Sequence, residues 1–592
     1  MINQDIAKIF KEISLLLEML GAAFKPQAFL RAAENIENLG EDLKDTYRKG
    51  GTKALAEIPG VGKSMAEMIE EYIKSNRIKE YQALKKKIPV DVEGLTSVEG
   101  IGPKGVYKLY KKLGIKTLAD LEKAAKAGKI RNLEGFGQKS EEKILKGLEF
   151  VKKHAGRYVL GFMLPEICQI VSRLEKNQYV EKVLLCGSAR RMQETIGDVD
   201  ILVTSKKPKE VMNIFINMPE VDRVVTKGET KSVVKLKNGL EVDLRVVAPE
   251  SFGAAAQYFT GDKNHNVELR KIAIEKGYKL NEYGLYKIKK SNLKNKNYNS
   301  KIKNKESLIA GESEEDIYHA LGMDFIPPEI RTMSGEIEAA RDHKLPQLIE
   351  YGSLKGNMQT HTDWSDGEAS LEKMAEAARE MGLEYILITD HTRGLAMTGG
   401  ADENKMLKQM AEIDKLNKKL QVTGYRFQVL KGAEVNIGKN GELDLDDKVL
   451  AKMDVVGAAV HSHFNLPRSE QTARVVRAIE NPNVDIIFHL TGRLINKREA
   501  IQIDFEEILK TAKRTGTILE IDAYPDRLDI KDDFIKRCVE TGVKMSIGAD
   551  AHSPAHYKHL ELGIAQARRG WATKSNIINA WSVEKMLKFL KK

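Results

Sequence analysis

Cysteine is scarce in this sequence. Its 592 residues hold three, Cys168, Cys186 and Cys538, far apart and without a CxxC pair. That excludes a disulfide framework and a cysteine zinc site, and it fits a reducing, cytoplasmic setting. Also missing is any run of about 18 apolar residues free of charge, the length a helix needs to cross a bilayer. No membrane partner is therefore expected. The N-terminal stretch MINQDIAKIFKEISLLLEML carries Asp5, Lys8, Lys11, Glu12 and Glu18 where a secretion signal would have an unbroken apolar core, so it reads as an amphipathic helix. Acids are outnumbered: 85 Asp and Glu face 96 Lys and Arg, a formal charge of +11 that favours a polyanionic partner. With 42% apolar and 31% charged residues the chain is neither fibrous nor largely disordered, and its length suits about three to five globular domains.

Residues 1 to 150 show apolar positions at three and four residue spacing, broken by glycine turns, so short helices are expected. One pattern recurs: Ile58-Pro59-Gly60-Val61-Gly62-Lys63, Val98-Glu99-Gly100-Ile101-Gly102-Pro103-Lys104, and Leu133-Glu134-Gly135-Phe136-Gly137-Gln138-Lys139. Glycine permits the tight turn and leaves backbone N–H groups open at a helix start, where the helix dipole favours an approaching phosphate. A single such turn would be an ordinary helix-to-helix connection; three copies, each followed by a lysine, resemble helix-hairpin-helix clamps on the DNA backbone. Clamps of that kind hold sugar-phosphate without reading bases.

From 155 to 330 the texture changes. VEKVLLC, DVDILVTS, SVVKLKN and LEVDLRVV predict a mixed sheet. Segment 287–305 holds eight lysines and no acid; it reads as a solvated basic loop, with a solubilising turn and a nucleic-acid contact both open. DFIPPEIRTMSGEIEAARDHKLPQL marks a boundary and linker near 330–350. After it, EYILITDH, FQVLKGAEVNI, MDVVGAAVHSH, VDIIFHLTG, GTILEIDA and GVKMSIGADAH alternate with helical stretches and end in histidines and acids, the pattern of an α/β barrel with chemistry at its strand ends.

The most specific signal is Gly187-Ser188-Ala189-Arg190-Arg191, followed by Gly197-Asp198-Val199-Asp200 and Val242-Asp243-Leu244. Strand residues i and i+2 share a face, so Asp198 and Asp200 project together and Asp243 on a neighbouring strand completes a three-carboxylate cup. Three close acids repel, which calls for hard divalent cations such as Mg²⁺. A pair of such ions about 3.5–4 Å apart activates an attacking oxygen and stabilises a leaving pyrophosphate, the chemistry of nucleotidyl transfer.

These residues, with Tyr258-Phe259-Thr260-Gly261 and Arg270, resemble family X DNA polymerases, the polymerase beta group, over residues 1 to 330. The resemblance implies Asp198, Asp200 and Asp243 as ligands of Mg²⁺ (or Mn²⁺), Asp243 as acceptor of the primer hydroxyl proton, and Gly187, Ser188 and Arg191 on the triphosphate, with Gly197 and Gly261 also nucleotide-binding. It implies Tyr258 and Phe259 beside the incoming sugar, and Asn266 and Arg270 on the base edge and template strand. Gly60, Gly62, Lys63, Gly100, Gly102, Lys104, Gly135 and Gly137 would contact DNA. The chain departs from the family pattern at Asp262, where the family writes YFTGS. It departs again at Met68, where repair members carry a lysine that forms a Schiff base with deoxyribose-phosphate; a thioether cannot do so. Weak or absent lyase activity is expected, with Lys63 left as the substitute amine.

Residues 353–592 resemble a PHP (polymerase and histidinol phosphatase) domain through Gln359-Thr360-His361, Asp366, Thr389-Asp390-His391, Glu434, His461, His489 and Asp550-Ala551-His552. The resemblance implies His361, Asp366, His391, Glu434, His461, His489, Asp550 and His552 as metal ligands for Zn²⁺, Mn²⁺ or Fe²⁺, and 3′-to-5′ exonuclease or related phosphoesterase work. His463 and His556 are expected at the surface, and Asp390 as an orienting group. Gln359 stands where the family's opening HxH has its first histidine, which weakens one metal position.

The expected fold class is thus a multidomain α+β and α/β chain: a helical DNA-binding region with a helix-hairpin-helix (1–90), a fingers-like helical region with another (91–155), a nucleotidyltransferase palm with a mixed sheet (156–250), a thumb (251–331), a linker (332–352) and a PHP-type distorted α/β barrel (353–592). Expected partners are gapped or primer-template DNA and deoxynucleoside triphosphates. The alternatives are a DNA-end-binding scaffold whose PHP domain is weakened by Gln359, and a template-independent transferase, which the hairpin repeats and YFTG argue against.

Overall fold

The structure, a computed structural model, describes every residue except Met1, Asn38, Gly40, 289–306, 396–397, 423–425 and 591–592. Of the lysine-rich segment only Lys287 and Ile288 fall among the described residues. The chain divides into two compact units, Met1–Gly156 with Leu494–Glu499, and Arg157–Arg493 with Ala500–Lys592.

The described residues of Met1–Gly156 form a series of helices joined by turns, from Ile2–Met19 to Gln138–Lys153, with no strand among them. The first helix places Ile6, Phe10, Ile13 and Leu16 at three and four residue spacing, and all four are fully buried. That stripe packs into one core with Ile69, Val106, Leu121 and Ile144 from later helices. Met68 lies in the same core, 8% exposed.

In the second unit a five-stranded sheet runs in the order Lys182–Leu185, Asp198–Thr204, Glu241–Val247, Lys231–Leu236, Val221–Lys227. Asp198–Thr204 and Glu241–Val247 are parallel and the other neighbours antiparallel, the mixed sheet expected. The exposed edge strand Val221–Lys227 was not signalled by the sequence, because its side chains face solvent on both sides and give no alternation. In Asp198–Thr204, Val199, Ile201 and Val203 fall on one buried face and pack with Ile167, Ile170 and Phe215 of the covering helices. The opposite face begins with Asp198 and Asp200 and reaches the apolar helix Phe252–Thr260 through Leu202. The period of two therefore decides which residues enter the core and which reach the site.

A three-stranded antiparallel sheet (Leu308–Ala310, Gly284–Lys287, Tyr278–Asn281) packs with helices Lys263–Glu275 and Glu314–Ala320. Residues 332–352, expected as a linker, hold the helix Glu336–Arg341, and Ile337, Ala340 and Leu348 join that same core. Beyond them seven parallel strands follow in sequence order: Gly356–Asn357, Tyr385–Ile388, Gln428–Asn436, Val455–Ala459, Ile486–Ile487, Ile518–Asp522 and Met545–Gly548. A parallel bridge between Thr360 and Ala551 joins the two ends of this sheet into a nearly closed barrel. Its strands are largely buried on both faces, as a sheet covered by helices requires.

Candidate active sites

The parallel register between Asp198–Thr204 and Glu241–Val247 sets Asp200 directly opposite Asp243. Asp198 lies two residues before Asp200 on the same face. Burial, then Asp198, then Asp243 push the Asp200 carboxyl up to about 6. Asp243 Oδ2 accepts from Arg245 at 3.0 Å and lies 3.2 Å from Lys231 Nζ, while its Oδ1 is buried with no hydrogen-bond partner. Crowded acids with an unpartnered oxygen fit a divalent cation.

Gly187 starts the short helix Gly187–Arg190 with φ +63°, and a Cβ there would stand 2.4 Å from Asp200 Oδ2. Glycine is what lets Ser188 and its backbone come this close to the acids. Arg190 donates to Thr260 Oγ1 at 2.7 Å and pairs with Glu314 at 2.5 Å; Glu314 also pairs with fully buried Arg331 at 2.7 Å. Among the described residues Arg191 makes no such close ion pair: it donates to the Thr260 carbonyl, and its Nε is buried without a hydrogen-bond partner.

Tyr258 and Phe259 meet edge to face at 5.1 Å, and the Arg245 guanidinium lies 4.4 Å over the Phe259 ring. This links the aromatic pair to Asp243 through one side chain. Asp262 caps the helix Lys263–Glu275 by accepting from the His265 N–H at 2.8 Å; aspartate and serine are both good N-caps, so the departure at this position keeps the turn. Asn266 is 8% exposed and its amide is engaged by the preceding helix, donating to the Tyr258 carbonyl at 2.7 Å and accepting from Gln257 at 2.6 Å. It holds the Tyr258 backbone in place. Arg270 lies half-buried one turn further along.

The three glycine turns of the helical unit are built alike. Gly60, Gly100 and Gly135 have φ of +76°, +90° and +82°, which side chains rarely adopt. Gly62, Gly102 and Gly137 are the N-caps of Lys63–Ser75, Pro103–Leu113 and Gln138–Lys153, with no side-chain cap. Their backbones are extended, and a Cβ at any of them would meet nothing within 4 Å. The fold does not need glycine there. The open helix starts, flanked by exposed Lys63 and Lys104, suit a close-approaching anionic backbone.

In the barrel, Glu434 is fully buried at the centre of four imidazoles. His489 Nε2 and His461 Nε2 lie 2.7 and 3.0 Å from its Oε1, and His361 Nε2 and His391 Nδ1 lie 3.3 and 3.6 Å from its Oε2. Asp550 is 3.1 Å from His361, and Asp366 faces His391 at 3.7 Å and His552 at 3.6 Å. Ligand atoms converge within 4.8 Å in three overlapping sets: His361, Asp366, His391 and His552; His391, Glu434 and His461; His361, Glu434 and Asp550. His489 touches this cluster through Glu434 and falls outside the three sets.

Both ring nitrogens of His361 are buried without an aligned hydrogen bond, as is Nδ1 of His391, so the donor set fits a metal cluster. Asn436 takes Nδ1 of His461 at 2.7 Å and the Asp550 carbonyl takes Nδ1 of His552 at 2.9 Å, which turns each Nε2 toward the cluster. Burial alone would raise Glu434, but the surrounding imidazoles hold it well below the usual carboxylate range. Burial lowers His391 to about 3, which keeps its imidazole neutral.

Gln359 is fully buried in the same cavity, and its Nε2 donates to Glu434 Oε2 at 3.1 Å while its Oε1 has no partner. Asp390 binds no imidazole; it accepts from Thr362 N–H and Oγ1 and from Ser365, fixing the turn that carries His361. His463 is exposed as expected, whereas His556 is 4% exposed, packed among Tyr524 and His559. Sequence reasoning missed Glu520 and Asp522, buried acids at the end of Ile518–Asp522, and Arg527, whose Nε lies 3.5 Å from both Asp522 and Asp550. The i, i+2 spacing in LEID carried the signal that found Asp198 and Asp200.

Known protein families match the chain piece by piece. Residues 1–78 match a helix-hairpin-helix domain, 92–149 a SAM-like helix-hairpin-helix tandem, 166–279 a nucleotidyltransferase domain, 255–332 a DNA polymerase beta thumb and 357–588 a PHP domain. The chain is 35% identical over 593 residues to the DNA polymerase/3'-5' exonuclease PolX of Bacillus subtilis (strain 168), covering 100% of this chain and 99% of that protein. A probable phosphatase of Thermoanaerobacter sp. (strain X514) is 30% identical over 251 residues, 40% of this chain and 96% of its own length. One from Syntrophotalea carbinolica is 31% identical over 212 residues, 34% of this chain and 82% of its own. Among the described residues no helix is long and apolar enough to cross a membrane.

Proposed function

This chain belongs to the family X DNA polymerases that carry a C-terminal PHP domain, and from that premise we propose that it fills short gaps in DNA by templated nucleotidyl transfer and trims 3′ ends with its PHP site. The observation that carries the first half is the register pairing of Asp200 with Asp243 beside Gly187.

Asp198, Asp200 and Asp243 would hold Mg²⁺ or Mn²⁺. When bound, the cations supply charge neutralisation at the attacking and leaving oxygens. Asp243 accepts the proton of the primer 3′-hydroxyl through its unpartnered Oδ1, while Arg245 and Lys231 steady Oδ2. Ser188, the amides after Gly187, and Arg191 bind the triphosphate of the incoming deoxynucleotide. The Tyr258 and Phe259 pair packs at the sugar, where a 2′-hydroxyl would meet ring and carbonyl. The glycine-capped helix starts take DNA phosphates.

In the PHP site, His361, Asp366, His391, Glu434, His461, Asp550 and His552 would hold Zn²⁺, Mn²⁺ or Fe²⁺, which when bound supply a hydroxide-generating Lewis acid. The unpartnered amide oxygen of Gln359 is a hard donor, which supports Mn²⁺ over Zn²⁺ there. The same residue favours a second reading, in which hydrolysis is slow and the chain acts chiefly by binding and filling gaps. Extension and degradation of labelled gapped DNA, measured for the native protein and for Asp243→Ala, test both readings. Extension lost in Asp243→Ala with DNA affinity kept supports the polymerase; extension surviving that substitution rejects it.

A further inference from the structure

The loop from Arg191 to Gly197 joins the arginine on the triphosphate to the glycine that precedes Asp198, so both of its ends belong to the nucleotide site. Its middle is held by the PHP barrel. Arg493 reaches Glu194 with two hydrogen bonds, Nη2 to Oε1 at 2.6 Å and Nη1 to Oε2 at 3.1 Å. Gln566 adds a third, to Oε1 at 2.8 Å. The two charged side chains are 12% and 14% exposed. Next to Arg191, Met192 sits at φ +50°, an unfavourable backbone for a residue with a side chain. Arg569 donates to its carbonyl at 3.1 Å while its own charge is paired with Asp532. The adjoining helix Leu160–Glu175 meets the barrel at Gly161, where a Cβ would stand 2.7 Å from Leu562 and 2.8 Å from Pro525.

We propose that Arg493, Gln566 and Arg569 of the PHP barrel are positioning residues of the polymerase reaction, gripping Glu194 and the Met192 backbone so that Arg191 is aimed at the polyphosphate of the nucleotide. This rests on the polymerase reading above. It gives the barrel a task in nucleotide binding that is separate from its metal cluster. A bidentate guanidinium on a shielded carboxylate is the strongest directional contact a side-chain pair offers, so it suits a loop that must stay fixed. A strained residue such as Met192 keeps its conformation only where its surroundings enforce it.

The test is single-nucleotide incorporation on gapped DNA by the full chain, with kcat and KM for the deoxynucleotide measured separately, for the native protein, Arg493→Met, Arg569→Met and Arg493→Lys. Loss of loop positioning predicts KM raised by about tenfold in each methionine variant with kcat changed less than about threefold. Product inhibition by pyrophosphate should weaken by the same factor, and Arg493→Lys should recover part of the loss. Melting temperature checks that each variant is folded. If a methionine variant does not fold, Glu194→Gln removes the charge at constant size and is read in the same way. A KM within about twofold of native in the folded variants overturns the proposal. Absence of extension by the native protein would instead remove the polymerase reading beneath it.

Discussion

Gly187 and Asp200 are packed so closely that a single added methyl on the former would stand 2.4 Å from Oδ2 of the latter. Gly187→Ala therefore forces the carboxylate away from the position that Asp243 faces, and it imposes a backbone at φ +63° that costs alanine roughly 1 kcal/mol. Incorporation should fall by about 100-fold, because displacement of a positioned group by about 1 Å has that scale of effect. Melting should drop only slightly. Steady-state gap filling beside a thermal melt checks this, and incorporation at native rates would show that the approach of Gly187 to the acids is incidental.

The second prediction separates folding from DNA binding. Gly62, Gly102 and Gly137 have extended backbones and open space where a Cβ would be. Valine at these positions should leave stability within about 0.5 kcal/mol, the usual range for surface changes. It should obstruct a phosphate at the helix start. Affinity for gapped DNA is expected to drop, and the slope of log affinity against log salt should flatten by about one unit for each phosphate that the protein no longer neutralises. An unchanged slope in Gly62→Val, Gly102→Val and Gly137→Val would show that DNA does not use these turns.

The contrast between those glycines and Met68 shows what the sequence could convey. The repeated Gly-x-Gly was legible because the spacing is local, and the structure separates its two glycines into one fixed by φ and one fixed by nothing inside the fold. The acids at 198, 200 and 243 were legible because a period of two decides which face they share. The clustered histidines and acids of the barrel were legible as residues after apolar strands. Less could be read where the partner is distant in sequence. Nothing near Glu194 announces Arg493, 299 residues away, and nothing near Glu314 announces Arg331 and Arg190 as its two guanidinium partners. The bonds of Asn266 to Gln257 and Tyr258 are likewise silent in the sequence, because they depend on how two helices meet.

Acid should destabilise the region around His265. This imidazole is fully buried, with Nδ1 at 2.9 Å from Glu336 and Nε2 at 2.9 Å from the Tyr318 hydroxyl. Burial lowers its pKa below the ordinary value of 6.5. Burial would raise Glu336, but the hydrogen bond from His265 and those from the Met333 and Ser334 N–H groups hold it below 4.5. A histidine depressed in the folded state takes its proton more readily when unfolded, so stability is full above pH 6.5 and declines as pH falls below it. The depressed glutamate acts in the same direction below pH 4.5. In His265→Gln the slope of unfolding free energy between pH 6.5 and 5 should be shallower by up to about 1.4 kcal/mol per pH unit, the value for one proton. Urea melts across that range check it, and identical slopes would contradict it.

The last prediction concerns the amide at the opening of the barrel. Gln359 donates to Glu434, the carboxylate that also meets His361, His391, His461 and His489. An amide N–H on that oxygen competes with a cation for its lone pair, and the amide oxygen is a weaker partner for Zn²⁺ than imidazole nitrogen. Gln359→His replaces a side chain of similar length in a site already walled by imidazoles and removes the competing donor. Bound transition metal per chain should rise, and degradation of labelled single-stranded 3′ ends should increase by about 10-fold, within the range that altered support of a metal site produces. Gap filling should be unaffected, because Asp198, Asp200 and Asp243 belong to a different sheet. Metal content by elemental analysis and degradation by gel, measured on the same preparation, must move together. If metal content rises and degradation does not, the limit lies outside the ligand set; Arg527, set between Asp522 and Asp550, is then the first residue to vary.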